Sequence, residues 1–212
     1  TNMEQVVRDM VGRSITEYYP GRTNEPGEIV LEVKNFCQEG LFNNISFKLR
    51  KGEILGVAGL MGAGRTEIMR ALFGVDSCKH GEVYLHGKKV CIKKPEDAIK
   101  AGIGFITENR KSEGLILDFS ISRNIALPSV DTFAKRSVIN AKNETAFSEA
   151  LSKKLGVKTA SIDLEAGALS GGNQQKVVIA KWIGMNPSII IMDEPTRGID
   201  FGAKRDIYDL MN

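Results

Sequence analysis

Gly56-Val57-Ala58-Gly59-Leu60-Met61-Gly62-Ala63-Gly64-Arg65-Thr66 is the stretch on which the reading of this chain turns. Before the glycines, Glu53-Ile54-Leu55-Gly56-Val57 is an apolar run of strand length, and after them Ile68, Met69, Leu72 and Phe73 recur at helical spacing until Gly74. The expected order is strand, glycine loop, helix. From Gly59 the letters follow the phosphate-loop pattern G-x-x-x-x-G-K-[ST], with Arg65 standing where lysine is usual. Gly59, Gly62, Ala63, Gly64, Arg65 and Thr66 are therefore the candidate nucleotide-binding residues. Glycines let successive backbone N–H groups turn toward a phosphate, and the positive end of the following helix adds to the attraction. The Thr66 hydroxyl suits a magnesium ion. Arg65 binds phosphate as a planar fork rather than as a compact point charge. On these residues alone, an ordinary tight turn between strand and helix stays open as the alternative.

Working outward, the 212 residues are 42% hydrophobic and 26% charged, which fits one globular domain able to bury a core. The net charge of +3, with Lys+Arg 29 against Asp+Glu 26, gives no basic stripe and argues against a nucleic-acid partner. The longest apolar runs fall far short of the roughly 18 residues a membrane span needs, and no signal peptide is recognisable. A soluble, cytosolic protein is expected. Cys37, Cys78 and Cys91 lack metal or redox spacing and read as buried or half-buried thiols, and His80 and His86 read as turn residues.

The segment 1–26 has Pro and Gly punctuation, at Tyr18-Tyr19-Pro20-Gly21 and Asn24-Glu25-Pro26-Gly27, and reads as a linker from something preceding it. Two strands are expected around Ile29–Val33 and Ile45–Leu49. Gly81–Leu85 and Lys89–Ile92 flank His86-Gly87 as a hairpin. Pro95 opens a helix that Gly102 ends, and Ile103-Gly104-Phe105-Ile106 follows as a buried strand. Asn140 is expected to cap a helix whose buried face carries Phe147, Ala150, Leu151 and Leu155.

Ser188-Ile189-Ile190-Ile191-Met192 reads as a strand covered on both faces, as in a parallel sheet, and ends in Asp193-Glu194-Pro195. Ligands of such sheets collect beyond the carboxyl ends of the strands. Asp193, with Thr66, becomes a candidate magnesium ligand, and Glu194 a candidate base that polarises the attacking water. A solvated turn is the plainer alternative. Leu169-Ser170-Gly171-Gly172-Asn173-Gln174-Gln175-Lys176 opens a helix with a hydroxyl and free N–H groups, a second anion cradle or simply a flexible cap.

In this order GLMGAGRT, LSGGNQQK and, 17 residues on, the Asp-Glu pair of IIIMDEP resemble the nucleotide-binding domain of an ATP-binding-cassette transporter. The closer resemblance is to the second ATPase cassette of bacterial monosaccharide importers, carried also by Arg50–Val57, Thr107-Glu108-Asn109-Arg110-Lys111 and Asp193–Asp200. It covers nearly the whole chain. The resemblance implies an α/β P-loop NTPase core with an antiparallel β lobe and a helical signature subdomain at about 115–180, the cassette running 27–212 without its closing strands. It implies ATP and Mg2+ as ligands, and hydrolysis that energises sugar import. Ser170, Gly171, Gly172 and Gln174 would meet ATP held by another cassette, and Gly198-Ile199-Asp200 would form the loop between the two. Glu108 stands where a metal-sensing glutamine is usual and is carried as a third metal candidate; Phe36 and Phe42 are candidates to stack on adenine. The implied partners are a preceding cassette or second copy, membrane permease subunits and, indirectly, an external sugar-binding protein, with the chain peripheral on the cytoplasmic face. A mainly regulatory cassette that completes its partner's site is the alternative.

Overall fold

The computed structural model describes residues 24–135 and 138–212, so most of the segment 1–26 expected as a linker lies outside the described residues. In chain order the elements begin with β1 (Ile29–Gln38) and β2 (Phe42–Arg50), then α1 (Arg65–Phe73), β3 (His80–Leu85), β4 (Lys88–Val90), α2 (Pro95–Lys100) and β5 (Ile103–Ile106). A π-helical turn (Arg110–Gly114), α3 (Ile121–Ala126), α4 (Val130–Phe133), β6 (Ala134–Lys135), β7 (Val138–Ile139) and α5 (Ala141–Lys154) follow. The chain then forms α6 (Gly171–Ile183), β8 (Ile189–Met192) and α7 (Phe201–Met211). These elements fall into two compact units, one of residues 24–106 with 182–193, the other of described residues in 107–181 with 194–212.

In the first unit, β1 is the hub of an antiparallel sheet of order β2-β1-β3-β4. Leu31 faces Leu49 on one side and Leu85 on the other, and Val33 lies between Phe47 and Val83, so one apolar row crosses three strands. The β3–β4 hairpin turns at His86 (φ 47) and Gly87 (φ 75), as Gly at the turn predicts. His80, expected in a turn, begins β3 instead and pairs with Cys37. Cys37 and Cys78 are half-buried, whereas Cys91 is exposed because β4 ends before it.

β5 and β8 pair in parallel, from Ile103 beside Ile189 to Ile106 beside Met192. β5 is buried throughout, while β8 alternates buried and half-buried residues, less covered than its apolar run predicts. Phe73, at the end of α1, sits 5.4 Å from Phe105 and meets Trp182 edge-on at 5.5 Å. Such pairs add about 0.5–1.5 kcal/mol each beyond area burial, and they pin α1 beside β5. Gly104 eases this approach, since a Cβ there would be crowded at 3.3 Å from that of Trp182.

The strand expected over Glu53–Val57 does not form. Ile54, Leu55 and Val57 are 49%, 40% and 43% exposed, and the run has no regular structure. A strand needs a neighbour to take up its N–H and C=O groups. Among the described residues none pairs with this run, the β5 ladder being made with β8. The run is held at its start, where Arg50 N donates to Glu53 Oε2 at 2.8 Å and Glu53 N to Arg50 O at 3.1 Å.

In the second unit, Ser120 Oγ caps α3 and Asn140 Oδ1 caps α5, the latter as its position predicts. The buried stripe of α5 is Ser148, Ser152 and Leu155; Ala150, expected inside, is exposed, while Phe147 is half-buried against Phe133. The small serines let α3 approach closely, and Ser148 Oγ donates to Ser122 O at 3.0 Å. Asn124 is 1% exposed. Its Nδ2 donates to Ile116, Phe119 and Ser120 carbonyls and its Oδ1 accepts from Ile116 N, which fixes the loop ahead of α3. No helix among the described residues is long and apolar enough to cross a membrane.

Candidate functional site

The glycine loop owes its shape to left-handed residues, Gly62 at φ 79 and Gly64 at φ 84. Gly64 is also the N-cap of α1; its left-handed backbone angle favours glycine, and a Cβ there would be crowded at 3.2 Å from Leu41 O. Ala63 N closes the turn onto Leu60 O at 3.1 Å, and Ile68 N begins the helical ladder on Gly64 O at 3.0 Å. The N–H groups of the first turn have no carbonyl below them in the helix and carry its positive dipole end. The Arg65 stem folds back across the loop: a Cβ on Gly59 would lie 3.6 Å from its Cδ. Leu60 and Met61 form an exposed rim, 85% and 99% accessible.

Behind the loop, Thr66 Oγ1 donates to Asp193 Oδ2 at 2.7 Å. Asp193 is buried, 9% exposed, and its N–H continues the parallel ladder onto Ile106 O at 2.9 Å. Residues 127 positions apart thus bring a hydroxyl and a carboxylate together at the end of β8. Two hard oxygen donors of this kind, one anionic, fit magnesium. Beside the loop, the β1–β2 turn lines a cleft of about 710 Å³ with Leu41, Phe42, Lys79 and His80. Phe36 and Phe42 are 4% and 9% exposed and stack on each other at 5.6 Å, so neither offers an open face to a base.

The second unit holds the remaining candidates. Glu108 forms an ion pair with Arg197. Glu194, exposed, has φ 47, a left-handed conformation that a non-glycine residue adopts at a cost of order 1–3 kcal/mol and that concentrates at functional positions. Ser170 is exposed at the start of α6, where its Oγ accepts from Asn173 Nδ2 at 3.0 Å. Gly172 is glycine for packing, since a Cβ there would meet Ala203 Cβ at 2.8 Å; at Gly171 a Cβ would stand 2.6 Å from Arg110 Nη2, the tip of a flexible side chain that would have to move. Asp200 caps α7 by accepting from Ala203 N at 2.9 Å. Gln174, grouped with the signature contacts from sequence, is 3% exposed and turned inward, its Nε2 donating to Ala166 O at 3.3 Å and its Oε1 accepting from Arg110 Nε at 3.4 Å.

Sequence reasoning passed over Lys181, whose Nζ donates to Gly114 O at 2.8 Å from within the fold; burial pushes its pKa down to about 8. It also left Arg110 without a role. The one available signal was the polar run Thr107–Lys111 directly after a buried strand.

The family model for the ABC transporter matches residues 42–197. The chain belongs to that family. It is 59% identical over 212 residues to the ribose import ATP-binding protein RbsA of Oceanobacillus iheyensis and 58% identical to that of Bacillus subtilis (strain 168). Those matches cover 100% of this chain and 43% of each relative, so the chain spans less than half the length of the curated relatives it matches. Among solved structures, an ATP-binding cassette of an ABC transporter superposes with TM-score 0.70 at 23% identity, covering 86% of this chain and 76% of that one. A dimeric cassette bound to ADP and Pi does so with TM-score 0.70 at 24% identity, covering 85% and 81%. At that identity the likeness establishes the fold, an α/β ATPase cassette with a β lobe and a helical region.

Proposed function

We propose that the chain is an ATP-binding and ATP-hydrolysing cassette that energises import of a sugar of the ribose class through membrane permease subunits, working from the cytoplasmic face. The observation that carries this reading is identity of 54–59% to ribose import ATP-binding proteins across the chain. In this reading the loop N–H groups and Arg65 hold the β- and γ-phosphates. Thr66 and Asp193 hold magnesium, and Glu108 is a further ligand only if it parts from Arg197. Magnesium, when bound, neutralises charge that develops on the transferring phosphoryl oxygens. Glu194 takes the proton of the attacking water, a contribution of roughly 10²- to 10⁴-fold in rate for a positioned base. Ser170, Gly171 and Gly172 complete the ATP site of another cassette, either a preceding one in the same polypeptide or a second copy. An external sugar-binding protein delivers the sugar, and neither DNA nor RNA takes part.

The test is uptake of labelled ribose by cells whose own importer is deleted and replaced by one carrying this cassette, with ATP turnover measured on the purified assembly. Uptake that depends on ATP supports the reading. Equal uptake with this cassette removed contradicts it.

A further inference from the structure

Arg110 ties together segments that lie 64, 87 and 88 residues away in sequence. Its Nη1 donates to Arg197 O at 2.9 Å, its Nη2 to Gly198 O at 3.0 Å, and its Nε to Gln174 Oε1 at 3.4 Å. Gln174 lies in the first turns of α6, and the two carbonyls belong to the loop that leads to α7. The guanidinium also fills the space beside Gly171, where a Cβ would stand 2.6 Å from Nη2 and 3.3 Å from Gly198 O. One residue on, the open side of Gly172 packs on Ala203, in the helix that Asp200 caps.

The chemistry of the pairings separates two neighbouring arginines. Arg197 is matched to the carboxylate of Glu108, whereas Arg110 donates to the backbone carbonyls of Arg197 and Gly198 and to the amide oxygen of Gln174. A planar fork can serve two successive backbone carbonyls at once and a third acceptor at its edge. An ammonium reaches such acceptors as a single point. Gly171 in turn leaves room for the fork, so the arginine and the signature glycine are matched in shape.

We propose that Arg110 is a positioning residue that fastens the start of the signature helix to the loop at Arg197–Asp200, so that Ser170–Gly172 and that loop engage another cassette's nucleotide as one preformed surface. The proposal rests on the ATPase reading above. Without the clamp, two segments must be ordered separately at the moment of closure, and each side chain immobilised on association weakens binding by up to about tenfold. That cost falls on formation of the composite site and not on the phosphate loop, which belongs to the other unit.

The experiment uses the complete transporter, reconstituted in vesicles, with the wild type, Arg110→Lys and Arg110→Ala compared for KM and kcat of ATP hydrolysis. The expected result is a KM for ATP raised about tenfold in each variant, with kcat at saturation changed less than about threefold. Mere loss of folded protein lowers kcat in proportion to the active fraction and leaves KM alone, and that pattern overturns the proposal. Rescue of KM by Arg110→Lys to within about twofold also overturns it, because charge without the fork would then suffice. A wild-type transporter that turns over no ATP removes the underlying ATPase reading instead, and the two failures are therefore distinguishable.

Discussion

Replacing Thr66 by valine removes one oxygen and keeps the shape, which isolates the 2.7 Å contact to Asp193 Oδ2. A hydrogen bond to a charged group contributes about 1.5–3 kcal/mol, most of it the cost of leaving a buried carboxylate unpartnered, and Asp193 is only 9% exposed. The added methyl offsets up to about 0.8 kcal/mol. The nucleotide-free protein should therefore lose about 1–2 kcal/mol, a fall in Tm of roughly 2–8 °C for a domain of this size. Thr66→Ser keeps the oxygen and should stay within about 0.5–1.5 kcal/mol of the wild type, the difference being one methyl group. Nucleotide binding adds a second readout: in Thr66→Val the gain in ATP affinity on adding magnesium should largely vanish, whereas affinity in EDTA should hold. The assays are differential scanning calorimetry and equilibrium binding of a fluorescent ATP analogue with and without magnesium. Unchanged Tm together with an unchanged magnesium effect would refute the placing of Thr66 and Asp193 at one metal-holding position.

Other expectations follow from single features. Lys181 is held with a folded pKa of about 8 against 10.5 unfolded, so between those values the unfolded chain binds more protons and stability rises with pH. The gain is on the order of 3 kcal/mol, seen by denaturation from pH 7 to 10; Lys181→Met should flatten that rise, and an unaltered slope would contradict the assignment. Asn124→Ala strips the loop before α3 of its internal partners and should cost about 3 kcal/mol or more in chemical denaturation. A loss under about 1 kcal/mol would mean that water replaces the amide. Arg65→Lys should keep nucleotide affinity or raise it, since lysine is the residue this loop pattern usually carries, and a sharp loss in a binding assay would show a loop built around guanidinium.

The glycine loop before α1 and the glycine-led start of α6 were legible as local structure because each couples a residue pattern to a backbone need. Gly64 is the clearest instance, favoured by φ 84 and crowded by Leu41 O. The hairpin at His86-Gly87, the helix opened by Pro95 and the cap at Asn140 were legible for the same reason, being decided by neighbours in sequence. What failed was decided at a distance. Apolar content at Ile54, Leu55 and Val57 predicts a strand, but strand formation depends on a partner that no local pattern supplies. The buried stripe of α5 lies on Ser148 and Ser152 because the face turned to α3 is fixed by tertiary packing, where Ser148 Oγ finds Ser122 O, and not by the apolar residues Ala150 and Leu151. Gln174 and Arg110 sit 64 residues apart, and nothing in either local sequence announces the other. Glu108, readable as a metal candidate by position, has its charge answered by Arg197.

ATP turnover by the purified complete transporter, measured with and without magnesium for the wild type, Glu194→Gln and Ser170→Arg, tests the composite ATP site most directly. Magnesium-dependent hydrolysis that Ser170→Arg abolishes and Glu194→Gln lowers in part is the predicted result. Absence of hydrolysis in the wild type, or turnover indifferent to Ser170→Arg, would contradict it.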